Sequence, residues 1–283
     1  MVLASVVIPA HDEAQVIERC LRRLTSEARP GELEVIVVCN GCTDDTAGIA
    51  RSAAPDATVI EIPTASKVAA LNAGDAEARA FPRFYVDADV ELGIEALRET
   101  AAALAEGAEC AAPAPQFAIE DRSWAIRTFY GVWQRLPFLA DDGVVGNGVY
   151  ALSAAGRARF GPFPSLTADD QYVMQLFPKE QRSTVRTSSF TIHPPTDLRD
   201  LIRVRTRVYR GNEELSRSGL ARSPAPGGAA KALCRLARDP RTIPAVALYA
   251  TVNGVARQRA RRPARGWERD ESARRAAPRQ ARP

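Results

Sequence analysis

No long apolar run, no glycine-rich phosphate loop, no internal repeat and only two histidines, His11 and His193, occur in these 283 residues. The longest mostly apolar stretch without charge, Ile243 to Ala256, is 14 residues broken by Asn253 and Gly254. A bilayer span needs about 20. Met1 to Pro9 carries no basic segment and runs into a strand-like pattern, so no signal peptide is expected. Neither G-x-x-x-x-G-K-[ST] nor G-x-G-x-x-G is found, so P-loop and dinucleotide-fold readings lack their motif. The five cysteines are odd in number and scattered, as in a reducing cytosol, and are read as structural. Cys39-Asn40-Gly41-Cys42 is a C-x-x-C, yet no second ligand pair for zinc stands at a fitting spacing.

What is there is an ordinary globular composition, 46% hydrophobic and 25% charged. A chain of this length buries enough surface to fold without disulfides or a structural metal. Charge is unevenly placed. Residues 257–283 hold ten arginines against three acids, a net of +7, which leaves −3 for residues 1–256 of a total of +4. This tail is Ala- and Pro-rich and reads as disordered. With the apolar segment before it, residues 243–283 are a candidate for peripheral contact with an anionic membrane. The alternative is a helix packed on the body and a solvated tail. No specific nucleic acid partner is expected, and the location expected is cytoplasmic, with any membrane contact at the inner face.

The first half alternates strand and helix. Apolar, β-branched runs at Leu3–Ile8, Leu33–Val38, Thr58–Ile62 and Arg83–Val86 predict strands. Helical periodicity is read over Glu13–Thr25, Lys67–Arg79 and Ile94–Ala105, and a helix ending at Ala53 is expected to be capped by Thr43. Glu109–Ala112 is a fifth candidate strand. Such alternation implies a parallel sheet covered on both faces, with ligands bound beyond the carboxyl ends of its strands. The polar clusters lie at those ends: residues 9–13, 40–45 and 87–89. The second half is less regular. Helices are expected at Trp124–Arg135, Asp169–Phe177, Leu198–Leu215, Ala229–Ala237 and Ile243–Val255, and a glycine-rich turn, Gly143–Gly148, leads into a strand at Val149–Leu152.

Asp87-Ala88-Asp89 places two carboxylates two residues apart at a strand end, where they can converge on one hard divalent cation or simply cap a turn. Around it, four motifs occur in order. Val6-Val7-Ile8-Pro9-Ala10-His11-Asp12-Glu13 resembles the V-x-I-P-x-Y-N-E opening of family-2 nucleotide-sugar glycosyltransferases. Residues 37–46, from Val37 to Thr46, resemble their V-V-D-D-G-S-T-D-D-T loop, with Cys39 and Asn40 in place of its two acids. Ser66 to Gly74 resembles G-K-x-x-A-L-N-x-G, and Asp87-Ala88-Asp89 resembles their D-x-D. Farther on, Asp169-Asp170-Gln171-Tyr172-Val173 resembles E-D-x-x-L, and Arg203 to Gly211 resembles Q-x-x-R-W, with valines for Gln and Trp. The match spans roughly residues 4–212.

The resemblance implies a GT-A fold: an α/β, Rossmann-like, mostly parallel sheet flanked by helices, here with a helical C-terminal extension. It implies a transferase domain over 1–215, with a nucleotide-binding half of about 1–112 and an acceptor half of about 113–215, followed by helices to 256 and the basic tail. It implies a metal-dependent, inverting hexosyl transfer from a nucleotide-diphosphate sugar to a hydroxyl-bearing acceptor. Asp87 and Asp89 would hold Mg²⁺ or Mn²⁺ with His193 as a third ligand. Asp170 would be the general base, with its neighbour Asp169 able to share the role. Pro9, His11, Glu13, Asn40, Lys67, Asp87, Arg207 and Arg210 would bind the nucleotide. Two other readings stand beside it: a nucleotidyltransferase on a related sheet, whose first loop would be basic where residues 9–13 are acidic, and a non-catalytic carbohydrate- or nucleotide-binding protein.

Overall fold

A computed structural model of the chain describes residues 2–140, 147–220 and 228–262. The chain divides into two units. The first comprises residues 1–116, 141–192 and 212–223, the second residues 117–140, 193–211 and 224–283.

The first unit is built on β1 (Ala4–Ala10), α1 (Ile17–Thr25), β2 (Leu33–Asn40), α2 (Thr46–Ala53), β3 (Thr58–Ile62), α3 (Lys67–Glu77), β4 (Arg83–Val86), β5 (Val90–Leu92), α4 (Ile94–Ala105) and β6 (Cys110–Phe117). After α5 (Trp124–Trp133) and α6 (Pro137–Ala140) come β7 (Val149–Leu152), α7 (Ala154–Arg157), α8 (Asp169–Leu176) and β8 (Arg182–Ile192). The helices that close the chain are α9 (Leu198–Arg217), α10 (Gly228–Leu236) and α11 (Ile243–Ala260).

The eight strands form one sheet in the order β3-β2-β1-β4-β7-β6-β8-β5. The β1–β2, β2–β3 and β1–β4 pairs are parallel, as strand–helix alternation requires. Beyond β4 the direction changes. β7 runs antiparallel to both β4 and β6, and β5 antiparallel to β8. Side chains alternate across the sheet. Val6, Ile8, Val35 and Val37 face Ile17, Leu21, Ala50 and Leu97 on one side, whereas Val7, Ile36 and Val38 face Ala70, Leu71, Tyr172 and Val173 on the other. Helix α3 lies close on the sheet because Gly74 has no side chain; a Cβ there would come within 2.4 Å of Val7 Cγ1.

Two starts differ from the sequence reading. Helix α1 begins at Ile17, not Glu13; in the segment before it the Glu13 N–H donates to Thr46 Oγ1 (2.8 Å) and the Ala14 N–H to Asp44 Oδ2 (3.1 Å). Helix α2 begins at Thr46 with Asp45 at its N-cap; Thr43 donates its N–H to Asp12 Oδ1 instead (2.6 Å). The loops after β1 and β2 are thus tied together. Strands β5 and β8 had no signal. β5 is three residues long, and β8 is Ser/Thr-rich with Phe190 its one buried residue.

In the second unit, α11 buries Tyr249, Val252, Asn253, Ala256 and Ala260, with Tyr249 stacked on Phe129 of α5 (4.9 Å between centroids). One face of the helix is therefore packed, and it runs past the expected end at Val255, with Arg257 and Arg259 in its last turn, where cations favour the helix dipole. No helix among the described residues is long and apolar enough to cross a membrane. The basic tail from 263 onward and residues 143–146 of the glycine-rich turn lie outside the described residues.

Candidate active site

The carboxyl ends of β1 and β4, the start of β7 and the first turns of α3 and α8 surround one cavity. It is lined by Pro9, Lys67, Leu71, Tyr85, Val86, Asp87, Gly148, Tyr150, Asp169 and Asp170. Ser66 caps α3 by accepting the Ala69 N–H (3.2 Å), which sets Lys67 at the first helical position. Its ammonium lies 2.8 Å from Asp87 Oδ1 and 2.9 Å from Asp169 Oδ1. Asp169 is buried, 4% exposed, and its other oxygen accepts from the Tyr150 hydroxyl (3.3 Å). Asp170, the next residue, is half-buried and accepts the Asn147 N–H (3.2 Å).

Burial alone would depress the Lys67 ammonium, but Asp169, Asp87 and Asp170 outweigh it and hold it well above its ordinary range. Burial, reinforced by Asp170 and Asp87 and opposed by Lys67, pushes the Asp169 carboxyl up to about 6. Both directions express one fact: three carboxylates share one ammonium.

The Asp87–Asp89 turn is held through its backbone. The Asp87 N–H donates to the Gly148 carbonyl (2.8 Å), the Asp87 carbonyl accepts from the Cys20 thiol (3.8 Å), and the Asp89 carbonyl accepts from Arg19 Nη2 (3.5 Å). Gly148 sits at φ +104°, a left-handed conformation that favours glycine, and a Cβ there would meet Val90 Cγ1 at 3.0 Å and Asp87 Oδ2 at 3.4 Å. Asp89 is half-buried in the same turn, though it is not among the residues lining the cavity. His193 follows Ile192, the last residue of β8, whose partner in β5 is Val90. His193, Arg207 and Arg210 belong to the second unit.

Two residues expected at the nucleotide have side chains bonded within the protein. Asn40 is 3% exposed, and in the amide orientation that satisfies its neighbours it donates to the Ala10 carbonyl (2.8 Å) and accepts the Ser66 N–H (3.2 Å). It joins the ends of β1 and β2 to α3. Arg210 donates to the Arg259 and Arg262 carbonyls (3.2 and 3.1 Å), so its guanidinium closes the end of α11. Pro9 lines the cavity, Glu13 is buried in the first loop, and His11 bonds through Nδ1 to the Asn40 carbonyl (2.6 Å).

The sequence reading placed Gly148 in the turn before β7 but missed Tyr150 and the support behind it. Tyr85 stacks on Tyr150 (5.0 Å between centroids, 23° between planes) and donates to Asp75 Oδ1 (2.6 Å). Asp75 in turn accepts from Arg83 and Arg157, both at 2.7 Å. An aspartate on the inward face of a predicted helix, followed by a strand opening with Arg83, was the available signal for this network.

With the geometry established, comparison with known proteins is informative. The family model described as "Glycosyl transferase family 2" matches residues 5–161. The glycosyltransferase AglE of Haloferax volcanii is 48% identical over 48 residues, 17% of this chain and 16% of that protein, so the match spans only a small part of its curated relative. Among solved structures, the chain is similar to a mannosyltransferase, PcManGT, from Pyrobaculum calidifontis in complex with GDP-Man and Mn²⁺, with a TM-score of 0.60, 22% identity, and coverage of 89% of this chain and 80% of that one. It is also similar to glucosyl-3-phosphoglycerate synthase from Mycobacterium tuberculosis in complex with Mg²⁺ and UDP (TM-score 0.52, 20% identity, 78% and 80% covered). A third similar structure is S. aureus TarS 1-349 with UDP-GlcNAc (TM-score 0.53, 16% identity, 92% and 82% covered). At these identities the likeness concerns the fold, and all three are GT-A-type structures like this one.

Proposed function

Because the chain belongs to glycosyl transferase family 2, we propose that it moves a hexosyl group from a nucleotide-diphosphate donor to an acceptor hydroxyl, with inversion at the anomeric carbon. The observation that carries this reading is the convergence of Asp87, Lys67, Asp169 and Asp170 on one cavity from three separate stretches of sequence. Such a cavity at the carboxyl ends of parallel strands is where open α/β sheets bind ligands.

The donor set fits a hard dication. Three carboxylates against one ammonium leave excess negative charge on oxygen ligands, the combination that Mg²⁺ or Mn²⁺ takes. Asp87 and Asp89 would hold the ion. Bound there, it would supply positive charge to the departing diphosphate.

The chain's own groups divide the remaining work. Asp170 accepts the proton of the acceptor hydroxyl as that oxygen bonds to the anomeric carbon and the sugar–phosphate bond breaks, the electron pair leaving with the diphosphate. The Asn147 N–H fixes the orientation of its carboxylate. Asp169, enclosed and bonded to Lys67 and Tyr150, positions Lys67, whose ammonium faces the donor. Pro9 and Glu13 complete the nucleotide side within the first unit. The three solved relatives hold GDP-Man, UDP or UDP-GlcNAc. Donors with purine and pyrimidine bases therefore both belong in the assay.

The test is diphosphate release from a panel of nucleotide sugars with Mg²⁺ or Mn²⁺, for the intact protein and for Asp89→Ala. Turnover with one donor, lost with EDTA and in Asp89→Ala, is the expected result. Inactivity with every donor, together with unchanged nucleotide binding in Asp89→Ala, overturns the reading. The same reading keeps the chain cytoplasmic, with residues 243–283 touching the inner face of the membrane. Salt-sensitive sedimentation with anionic vesicles is expected, and no binding at low salt ends that part.

A further inference from the structure

Beside the carboxylate cavity, the joined loops after β1 and β2 bring together a second, chemically different donor set. His11, Asp12 and Cys42 each offer one ligand atom, and these atoms all lie within 4.8 Å of one another. We infer that the side chains of His11, Asp12 and Cys42 form a binding site for a borderline-soft divalent ion of the Zn²⁺ class. This site is distinct from the oxygen site of Asp87 and Asp89.

Three observations support it. First, the imidazole is already oriented. His11 Nδ1 lies 2.6 Å from the Asn40 carbonyl, the outer hydrogen bond that fixes which nitrogen of a ligating histidine faces the metal. Nε2 is the other nitrogen, 3.9 Å from Asp12 Oδ2. The Asn40 carbonyl is itself held in place, since the side chain of that residue is buried between Ala10 and Ser66. Second, the carboxylate and thiol are placed by the same hydrogen bonds that join the loops. Asp12 Oδ1 accepts the Thr43 N–H (2.6 Å) and the Asp44 N–H (3.3 Å), and Oδ2, which also accepts the Thr43 hydroxyl (3.3 Å), lies 3.9 Å from His11 Nε2. The Asp12 N–H donates to Cys42 Sγ, and Cys42 donates to the Ala10 carbonyl, both at 3.4 Å. Third, Asp12 takes φ +50°, the left-handed turn conformation that aspartate tolerates better than most side chains, and this sets it beside His11.

The distances decide how much must move. Tetrahedral zinc with bonds of about 2.0–2.3 Å puts its ligand atoms roughly 3.3–3.6 Å apart. Donors within 4.8 Å of one another therefore need shifts of about an ångström, within the reach of side-chain rotation. Three protein ligands leave a fourth position open to water or another donor. The set also sorts metals. One nitrogen, one thiolate and one oxygen suit Zn²⁺ or Co²⁺ and give Mg²⁺ and Mn²⁺ little, whereas the Asp87–Asp89 turn has the opposite preference. Metal entry displaces the Cys42 thiol proton from the Ala10 carbonyl. The ligands are 30 residues apart in sequence and come from two loops, so no spacing motif announces them. The inference does not depend on the sugar-transfer reading, because its read-out is the metal itself.

The test is titration of the reduced, chelator-stripped full chain with Co²⁺, followed by its absorption. One equivalent is expected to produce a thiolate-to-cobalt charge-transfer band with tetrahedral d–d bands. Zn²⁺ should abolish these bands, and a large excess of Mg²⁺ or Mn²⁺ should not. Cys42→Ser should remove the charge-transfer band, and His11→Gln should weaken binding by about 10–100-fold. Far-UV circular dichroism would confirm that both variants are folded. If either variant fails to fold, Asp12→Asn replaces it with the same expected weakening. The inference is overturned if the wild type gives no charge-transfer band. A band that survives in Cys42→Ser overturns it too, as does a band that disappears in Cys234→Ser, since Cys234 is exposed and far along the chain.

Discussion

Lys67, at the first position of α3, reaches the Asp87 carboxylate at the end of β4 across 2.8 Å. The same ammonium is 2.9 Å from Asp169, and together these contacts make Lys67 the sole cation among the residues lining the cavity. Removing it leaves carboxylates enclosed without a counter-charge. Lys67→Met is therefore expected to lose about 1–3 kcal/mol of stability in metal-free buffer, a discount on the loss for a fully buried pair because the side chain is partly solvated. Mn²⁺ should raise the melting temperature of Lys67→Met more than that of the wild type. An equal rise in both would show that the dication does not share the ammonium's place.

Asp169 and Asp170 are consecutive, yet the structure treats them differently. One is buried against Lys67 and Tyr150, the other half-buried at Asn147. Asp170→Asn is expected to lower kcat by about 10²–10⁴-fold while leaving the KM for the donor within a few-fold. Asp169→Asn should instead raise the donor KM through Lys67. Steady-state kinetics on both variants would distinguish these outcomes, and an Asp170→Asn enzyme with full kcat would remove the assignment of the base.

Gly148 is the glycine among the described residues lining the cavity. An alanine there must hold φ +104° and press on Val90 and Asp87. The expected loss is about 1–3 kcal/mol, read as a lower urea midpoint, with weaker Mn²⁺-dependent nucleotide binding because the Asp87 carboxylate is displaced. A Gly148→Ala protein with unchanged midpoint and binding would contradict the strain argument.

Asp75 gives a pH dependence of definite sign. Burial would raise its carboxyl, but Arg157, Tyr85 and Arg83 more than offset this and hold it below its ordinary 3.8. A carboxylate lowered in the native state adds stability above its unfolded value, and that contribution fades as pH falls through the native one. Stability of the wild type should therefore drop, as pH falls below Asp75's ordinary 3.8, more steeply than that of Asp75→Asn. At neutral pH the variant should already be about 3–5 kcal/mol less stable, since two guanidinium groups lose their buried partner. Urea denaturation across that range measures both effects, and parallel curves would count against this assignment.

Residues 4–117 were largely legible because each strand is a short apolar run and each helix presents one apolar face. Arg83–Val86, Thr58–Ile62 and Ile94–Ala105 match the sequence reading residue for residue. β8 was not legible, because a strand with a half-exposed, Ser/Thr-rich surface carries no hydrophobic period. At the site, the acidic clusters were visible as residues at strand ends. The direction in which Asn40 and Arg210 spend their hydrogen bonds was not, because it depends on which backbone groups another loop or helix leaves unpaired. Tyr150 was hidden for a similar reason: within an apolar strand nothing marks a tyrosine whose hydroxyl meets an acid some 20 positions later.

The pairing of β4 with β7 joins Val86 to Val149, residues separated by much of the first unit. A nascent polypeptide ending before β7 already contains Lys67, Asp87 and Asp89, but neither of the carboxylates on α8. Closing that long loop carries an entropic penalty that only the complete sheet repays. The proposed constellation is thus complete only once β7 and α8 have joined the sheet that carries Lys67 and Asp87.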